Sequence, residues 1–198
     1  MNGWRLTGVL SLLLAAMALY VLSAQGWDAE GIRLVIRATA RTSLMLFALA
    51  FTAGAMVELL PSEATRWQRS NRRYLGVSFA VSHLIHLIAI LSLASIDQAL
   101  FWKLTNINTI VLAGTAYLFI AAMAATSFDR TAAWLGARKW RLLHLLGGWY
   151  IWISFAVAVG KRVPLERFYW PMAALVLASG IVRLVAMWRR NRRRAALI

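Results

Sequence analysis

The sequence predicts an all-α membrane protein, built as a bundle of six transmembrane helices with both termini in the cytoplasm. The chain has 198 residues and is 61% hydrophobic, which is more apolar than an average soluble domain. Six of its stretches are continuously apolar and approach the roughly 20 residues that a helix needs to cross about 30 Å of hydrocarbon. The Lys and Arg residues gather at the ends of these stretches, so we interpret the net charge of +15 as a determinant of membrane topology. Nucleic-acid binding is not predicted.

The six spans are helices rather than strands of a barrel, because their apolar residues run continuously instead of alternating. The first span follows a basic start, as in a signal peptide, but its apolar part of 19 residues exceeds the about 7–15 that are typical of such peptides. We therefore interpret it as an uncleaved helix. The predicted spans are Leu6–Ala24, Thr42–Leu60, Tyr74–Ile96, Ile107–Phe128, Leu142–Gly160 and Phe168–Met187.

The distribution of basic residues sets the predicted orientation. Fourteen of the 22 Lys and Arg residues lie on the side of the N-terminus, seven lie on the other side, and Arg183 lies within the sixth span. Cytoplasmic loops carry the excess of Lys and Arg, which places both termini in the cytoplasm. We interpret residues 1–198 as a single domain, in which residues 188–198 form a basic cytoplasmic tail that contacts anionic lipids.

The composition limits the chemistry of the chain. There is no cysteine, which excludes disulfides, thiolate metal sites and iron–sulfur clusters. All seven acidic residues lie in loops or at span ends, whereas proton-coupled transporters need a carboxylate within the membrane. Neither a GxGxxG nor a Walker motif is present, so an oxidoreductase activity would belong to a complex rather than to this chain alone.

All three histidines lie in apolar spans: His83 and His86 in the third, and His144 early in the fifth. Because an imidazole in hydrocarbon needs polar partners, these rings are predicted to face the bundle interior. One interpretation is that each ring simply forms a hydrogen bond with a neighbouring helix. The other is that the rings share a ligand, for which haem b is a better match than zinc, since no cysteine or midplane carboxylate completes a zinc site.

Two stretches carry a family resemblance. The segments "RRYLGVSFAVSHLIH" at 72–86 and "LGARKWRLLHLLGGWYIW" at 135–152 resemble the third span and the fifth-span entry of the ferric reductase-like transmembrane domain family, in particular its bacterial MsrQ (YedZ) branch. The resemblance covers the central part of the chain, and the first and last spans match only in hydrophobicity.

The resemblance implies haem b between the third and fifth spans, with His83, His86 and His144 as candidate axial ligands of the haem iron. The family's second histidine in the fifth span is absent here, since Val157 and Ala158 occupy that region. Counted at 1.5 Å per residue, His83 and His86 lie about 15 and 20 Å into the membrane, but His144 only about 5 Å. Three arrangements stay open: one haem shared by His144 with His83 or His86, a haem with one histidine and a methionine, or a member that has lost haem.

The methionine in the second arrangement is Met123 or Met56. Arg72, Arg73, Arg138 and Arg141 are candidate partners of haem propionates or of a donor protein, although arginines at span ends more often set topology and contact lipid.

The resulting hypothesis is a multi-pass subunit of the bacterial inner membrane that contains haem b. It passes electrons from a cytoplasmic flavin reductase or a quinone towards an external redox protein. The alternative hypothesis is a cofactor-free membrane scaffold or assembly partner that keeps the fold.

Overall fold

The computed structural model describes residues 1–195 and contains, within them, nine α-helices, one 3-10 turn and no strand. Six helices are long and apolar enough to cross a membrane, which confirms the predicted all-α fold with six helices of membrane-spanning length. These are α1 (Trp4–Gln25), α2 (Ala29–Leu59), α4 (Arg72–Ile96), α6 (Ile107–Ala125), α8 (Ala137–Gly160) and α9 (Trp170–Ala195). The short elements are α3 (Glu63–Ser70), α5 (Gln98–Leu104), α7 (Asp129–Leu135) and the 3-10 turn Arg167–Tyr169.

The second helix begins earlier than the predicted span, at Ala29 rather than Thr42. Its start is capped by Asp28, whose Oδ1 accepts a hydrogen bond of 3.0 Å from the backbone N–H of Gly31. Ile32, Val35 and Thr39 then recur at helical spacing and are buried. This first part of α2 is amphipathic, because three arginines interrupt its apolar sequence, and a search for continuous apolar runs therefore misses it.

The last helix extends beyond the predicted span, which ended at Met187, and continues through the basic segment to Ala195. Residues 188–195 of the predicted tail are thus helical. The remaining part of that tail, residues 196–198, lies outside the described residues.

α2 is the central helix of the bundle and packs against α1, α4 and α9, while α6 and α8 pack against each other. The main core contains Phe47 and Phe51 of α2, Leu75 and Phe79 of α4, and Ile151 of α8. Large apolar side chains are also exposed along the outside of α1, α4, α6 and α9. Such a surface would be unfavourable in water and suggests a lipid bilayer as the surroundings.

The start of α1 and the last described turn of α9 lie at one end of the bundle, here called the termini end. The backbone N–H of Gly3 donates to Asn71 Oδ1 at 3.0 Å, which joins the start of α1 to the start of α4. Near the other terminus, Arg190 Nε lies 3.2 Å from Glu58 Oε2. The other end of the bundle, with α5 and the 3-10 turn, is here called the opposite end.

Small hydroxyl side chains join α2 to α4 near the middle of both helices. Ser43 Oγ donates to Ser82 Oγ at 2.8 Å, and the Oγ1 of Thr42 lies 3.1 Å from the same Ser82 oxygen. Ser43 and Ser82 have no exposed surface. Small residues allow helix backbones to approach closely in an apolar environment, and their hydroxyls add modest interhelical hydrogen bonds.

Candidate functional site

His144 is held near the termini end, between α8 and the C-terminal turn of α6. Its ring stacks on Trp140, one turn earlier in α8, with ring centroids 4.1 Å apart. Its Nε2 lies 3.4 Å from Thr126 Oγ1, and the Thr126 hydroxyl donates to the Ala122 carbonyl at 2.8 Å. A separation of 3.4 Å is long for a hydrogen bond, so the imidazole can exchange this contact for a stronger one at little cost.

His144 borders a cavity of about 330 Å³ in the termini half of the bundle. This volume falls within the about 300–1,000 Å³ of small-molecule sites. The deep walls are apolar and come from α2, α4, α6 and α8: they are formed by Phe47, Phe51, Phe79, Ile120 and Ile151. An imidazole on the wall of a cavity with these apolar deep walls is a candidate ligand for a metal-containing or polar guest.

The polar part of the cavity wall is positively charged. Arg69 of α3 and Arg72 and Arg73 of α4 line the cavity near the termini end, and Arg183 of α9 lines it from within the bundle. No Asp or Glu is among the residues that line it. A concave site lined by one sign of charge concentrates ions of the other sign. The cavity therefore favours a guest that combines an apolar body with anionic groups.

One of the lining arginines also forms an ion pair outside the cavity. Arg73 donates to Oδ1 of Asp129, the exposed first residue of α7. This hydrogen bond, and then the charge of Arg73, hold the pKa of Asp129 below its ordinary value. A carboxyl group with a depressed pKa contributes stability above the ordinary carboxyl pKa, and the contribution is lost as the pH falls through the lower pKa of the folded state.

Glycines shape the cavity in two different ways. A Cβ added to Gly76 of α4 would meet no other atom within 4 Å, so this glycine leaves open space beside the cavity that it lines. A Cβ added to Gly148 of α8 would lie 3.4 Å from the Phe51 ring, which is ordinary contact. Gly147 has a packing role instead, because a Cβ there would lie 2.6 Å from Met123 Sδ of α6.

His86 lies towards the opposite end and is hydrogen-bonded to α2. Its Nδ1 is 2.9 Å from Thr39 Oγ1, and the Thr39 hydroxyl is 2.7 Å from the Val35 carbonyl. The Thr39 hydroxyl can donate to the Val35 carbonyl and accept from Nδ1–H of His86, in the tautomer with an unprotonated Nε2. This tautomer leaves the Nε2 lone pair of His86 free to accept a hydrogen bond or bind a metal.

His83 lies one turn before His86 on α4, with the two ring centroids 5.3 Å apart. The ring also packs against Tyr117 of α6, at a centroid distance of 5.0 Å. His83 Nδ1 and Tyr117 Oη are both buried without a hydrogen-bond partner. Buried polar atoms are usually paired, so these two neighbouring atoms mark a second polar site within the bundle.

The structure brings His83 and His86 together but keeps His144 apart from them. The His83 ring packs against Phe155 of α8, with centroids 5.8 Å apart, and Phe155 follows His144 by eleven residues, or about 16 Å along a helix. Phe79 lies between the two levels, since it lines the cavity and contacts His83 at 5.1 Å. One iron cannot reach both His144 and either of the other histidines in this arrangement.

The difference in depth between His144 and the other two histidines, which was expected from the sequence, is therefore present. The arrangement in which one haem joins His144 to His83 or His86 does not fit this bundle. Among the described residues, no group of three or more His, Cys, Asp or Glu side chains could hold a metal ion. Met123 lines the His144 cavity, whereas Met56 is not among its lining residues. The same holds for the arginines: Arg72 and Arg73 line the cavity, but Arg138 and Arg141 do not.

Several residues at these sites were not assigned a role from the sequence. Trp140 could have been found, because it precedes His144 by four residues and so lies on the same helix face. Thr126 and Phe51 could not, since only the packing of α6 and α2 against α8 brings them to the site. Arg183 was noticeable in the sequence as a charge within an apolar span. The direction in which its side chain points depends on the packing of α9.

No protein-family model matches the chain, and no curated protein or solved structure is similar to it.

Proposed function

We propose that the chain is a haem b-containing membrane electron-transfer subunit of the ferric reductase-like class, with its haem in the cavity beside His144. The observation that carries the proposal is the combination of an imidazole, an apolar interior and an arginine-lined wall around about 330 Å³ of space. Haem is a flat apolar macrocycle with an iron that binds axial nitrogen and with two carboxylates, so each part of this wall has a chemical counterpart in it.

The residues of the cavity suit a haem held by one histidine. His144 would supply a nitrogen ligand to the iron, and Trp140, which stacks on its ring, would hold the imidazole in place. Arg69, Arg72 and Arg73 are placed to pair with carboxylates near the termini end. The open space beside Gly76 leaves room for a planar guest at the backbone of α4. Met123 is the only Met on the lining and is the candidate for a weak second ligand.

The bound haem would supply reversible one-electron chemistry. The chain itself would exclude water through Phe47, Phe79 and Ile151 and hold a positive potential where an anionic or reduced guest sits. Beyond the cavity floor, the rings of Phe79, His83 and His86 follow one another at 5.1 and 5.3 Å towards the opposite end. The donor would be a flavin reductase or a quinone and the acceptor a redox protein on the other side.

We further propose that the protein lies in a bacterial inner membrane with the termini end in the cytoplasm, as the excess of Lys and Arg at that end favours. Because the chain has no cysteine, single cysteines can report this directly. A membrane-impermeant maleimide added to intact cells should label Glu166→Cys at the opposite end. It should leave Glu63→Cys in α3 unlabelled until the membrane is opened, and the reverse pattern would invert the orientation.

A cofactor-free scaffold is the second candidate function, and one observation favours it. Nδ1 of His86 already has a partner in Thr39 at 2.9 Å, as expected of a polar residue that joins two helices. The scaffold would keep the bundle and act as an assembly partner for another membrane subunit.

The absorption spectrum of the purified protein distinguishes the two functions. Protein from haem-replete cells should show a Soret band that sharpens on reduction. His144→Ala should lower the haem-to-protein ratio more than about tenfold, the scale on which loss of even an outer-shell partner weakens metal sites. His83→Ala and His86→Ala should retain the band and serve as controls. Colourless wild-type protein would favour the scaffold, and loss of haem only in His83→Ala or His86→Ala would move the site to the opposite half.

A further inference from the structure

Arg183 is the only charged residue within the apolar part of the last span. A charge in the membrane interior is costly and commonly marks a functional site. The side chain is directed into the bundle rather than to lipid, since it lines the His144 cavity. Long basic side chains near span ends often extend towards the membrane interface. The Arg183 side chain instead contacts residues inside the bundle.

Two aromatic rings and a carbonyl fix the guanidinium group. Its Nη1 donates to the Phe51 carbonyl at 3.3 Å, and its central carbon lies 4.2 Å from the Phe51 ring centroid. The Trp149 ring centroid is 5.5 Å away. Cation–π contacts of this kind orient a guanidinium but do not neutralise its charge. Gly148 lies beside the guanidinium, since a Cβ added there would be in ordinary contact with Nη1, at 3.8 Å.

Arg183 has no carboxylate partner among residues 1–195. The ion pairs in this part of the chain involve Arg33, Arg73 and Arg190. Glu58, near the C-terminal end of α2, is paired with Arg190 at 3.2 Å. A guanidinium has five N–H donors, and Arg183 uses one of them in a hydrogen bond to protein. An uncompensated cation that borders an apolar cavity is a site for an anionic group of the guest.

We propose that Arg183 is a ligand-binding residue that recognises a carboxylate or phosphate carried on an apolar body. The planar donor fork of arginine matches both oxyanions in bidentate fashion. The proposal deepens the proposed function, because it assigns a guest to the same cavity, and a haem would present its carboxylates. It does not require iron or an axial ligand, and an anionic phospholipid would supply the same chemistry through its phosphate.

The test uses probes without iron, with protein purified from haem-deficient cells. Protoporphyrin IX carries two carboxylates, and its dimethyl ester has the same apolar ring without them. Titration into detergent-solubilised protein, followed by porphyrin fluorescence anisotropy, should show at least about tenfold preference for the acid, since hydrogen bonds to ionised groups are the strong ones. Dioleoyl phosphatidic acid and dioleoyl phosphatidylcholine, compared by native mass spectrometry, test the lipid phosphate as the source.

Arg183→Gln should reduce the preference for the acid over the ester, or for the anionic over the zwitterionic lipid, at least about fivefold. Arg192→Gln removes one charge from an exposed position of the same helix, where the guanidinium lies over Trp188, and should keep the preference. The porphyrin arm would identify a carboxylate guest, and the lipid arm a phosphate guest. Wild-type protein that binds neither anionic probe, or an Arg183→Gln variant with the wild-type preference for both, would overturn the proposal.

The outcome is separable from that of the haem proposal. His144→Ala should keep the preference for protoporphyrin IX over its ester, because this probe offers no iron to an imidazole. A preserved anion preference in a protein without a Soret band would leave the Arg183 site and remove the haem function. A haem-loaded protein in which Arg183→Gln leaves the anion preference unchanged would keep the haem function and remove the Arg183 site.

Discussion

Replacement of Ser82 by leucine is expected to disrupt the pairing of α2 and α4. Ser82 has no exposed surface, and its Oγ lies 2.8 Å from Ser43 Oγ and 3.1 Å from Thr42 Oγ1. A leucine at this point must push the two helices apart, which typically costs about 1–3 kcal/mol. The hydrogen bonds lost to Ser43 and Thr42 contribute about 0.6 kcal/mol each. We expect the free energy of unfolding to fall by about 2–4 kcal/mol, measured by SDS titration in mixed micelles with tryptophan fluorescence.

Two control variants separate the effect of the added volume between α2 and α4 from the effects of a leucine on α4 and of the lost hydrogen bonds. Ser95→Leu places the same side chain on the exposed surface of the same helix, where the serine hydroxyl only donates to the Leu91 carbonyl at 2.9 Å, and its unfolding should match the wild type. Ser82→Ala removes the hydrogen bonds without adding volume, so its effect should stay near about 1 kcal/mol. Equal stability of Ser82→Leu and the wild type would show that α2 and α4 do not approach closely at Ser82.

The sequence predicted the six spans because hydrocarbon thickness acts on each helix alone. Continuous apolar runs such as Ile107–Ala125 need no knowledge of their neighbours. The first part of α2 was missed for the same reason. Its buried residues follow the helical repeat at Ile32, Val35 and Thr39, but Arg33, Arg37 and Arg41 lower the average hydropathy below that of a span.

The candidate site was predictable only in part. The residue types were apparent, since three histidines and one arginine stand in apolar spans. The depth of His144 relative to His83 also followed from counting residues along helices. Which side chains meet depends on the rotation and packing of helices, which a single sequence does not encode in any local pattern. Thus Thr39 with His86, and Arg183 with Phe51, became visible only through contacts between helices.

Gly76→Leu should empty the cavity of its guest while it stabilises the protein without one. A Cβ added at Gly76 would meet no atom within 4 Å, and Gly76 lines the cavity, so a longer side chain there would extend into its open space. The substitution also replaces a helical glycine, which is about 1 kcal/mol less favourable than alanine in a helix, by a good helix former. We expect the haem-to-protein ratio, or the affinity for protoporphyrin IX, to fall at least about tenfold, since the leucine excludes the guest from its site.

Gly114→Leu is the matched control for this substitution. Gly114 also lies within a long helix and also has open space around its missing Cβ, but it is exposed on α6 and does not line the cavity. Both variants should raise the stability of the unliganded protein by up to about 1 kcal/mol, and only Gly76→Leu should lose its guest. Because the gain in helix propensity is shared, any difference in binding reports the cavity alone. A Gly76→Leu protein with the wild-type affinity would place the guest outside this cavity, whatever its chemical class.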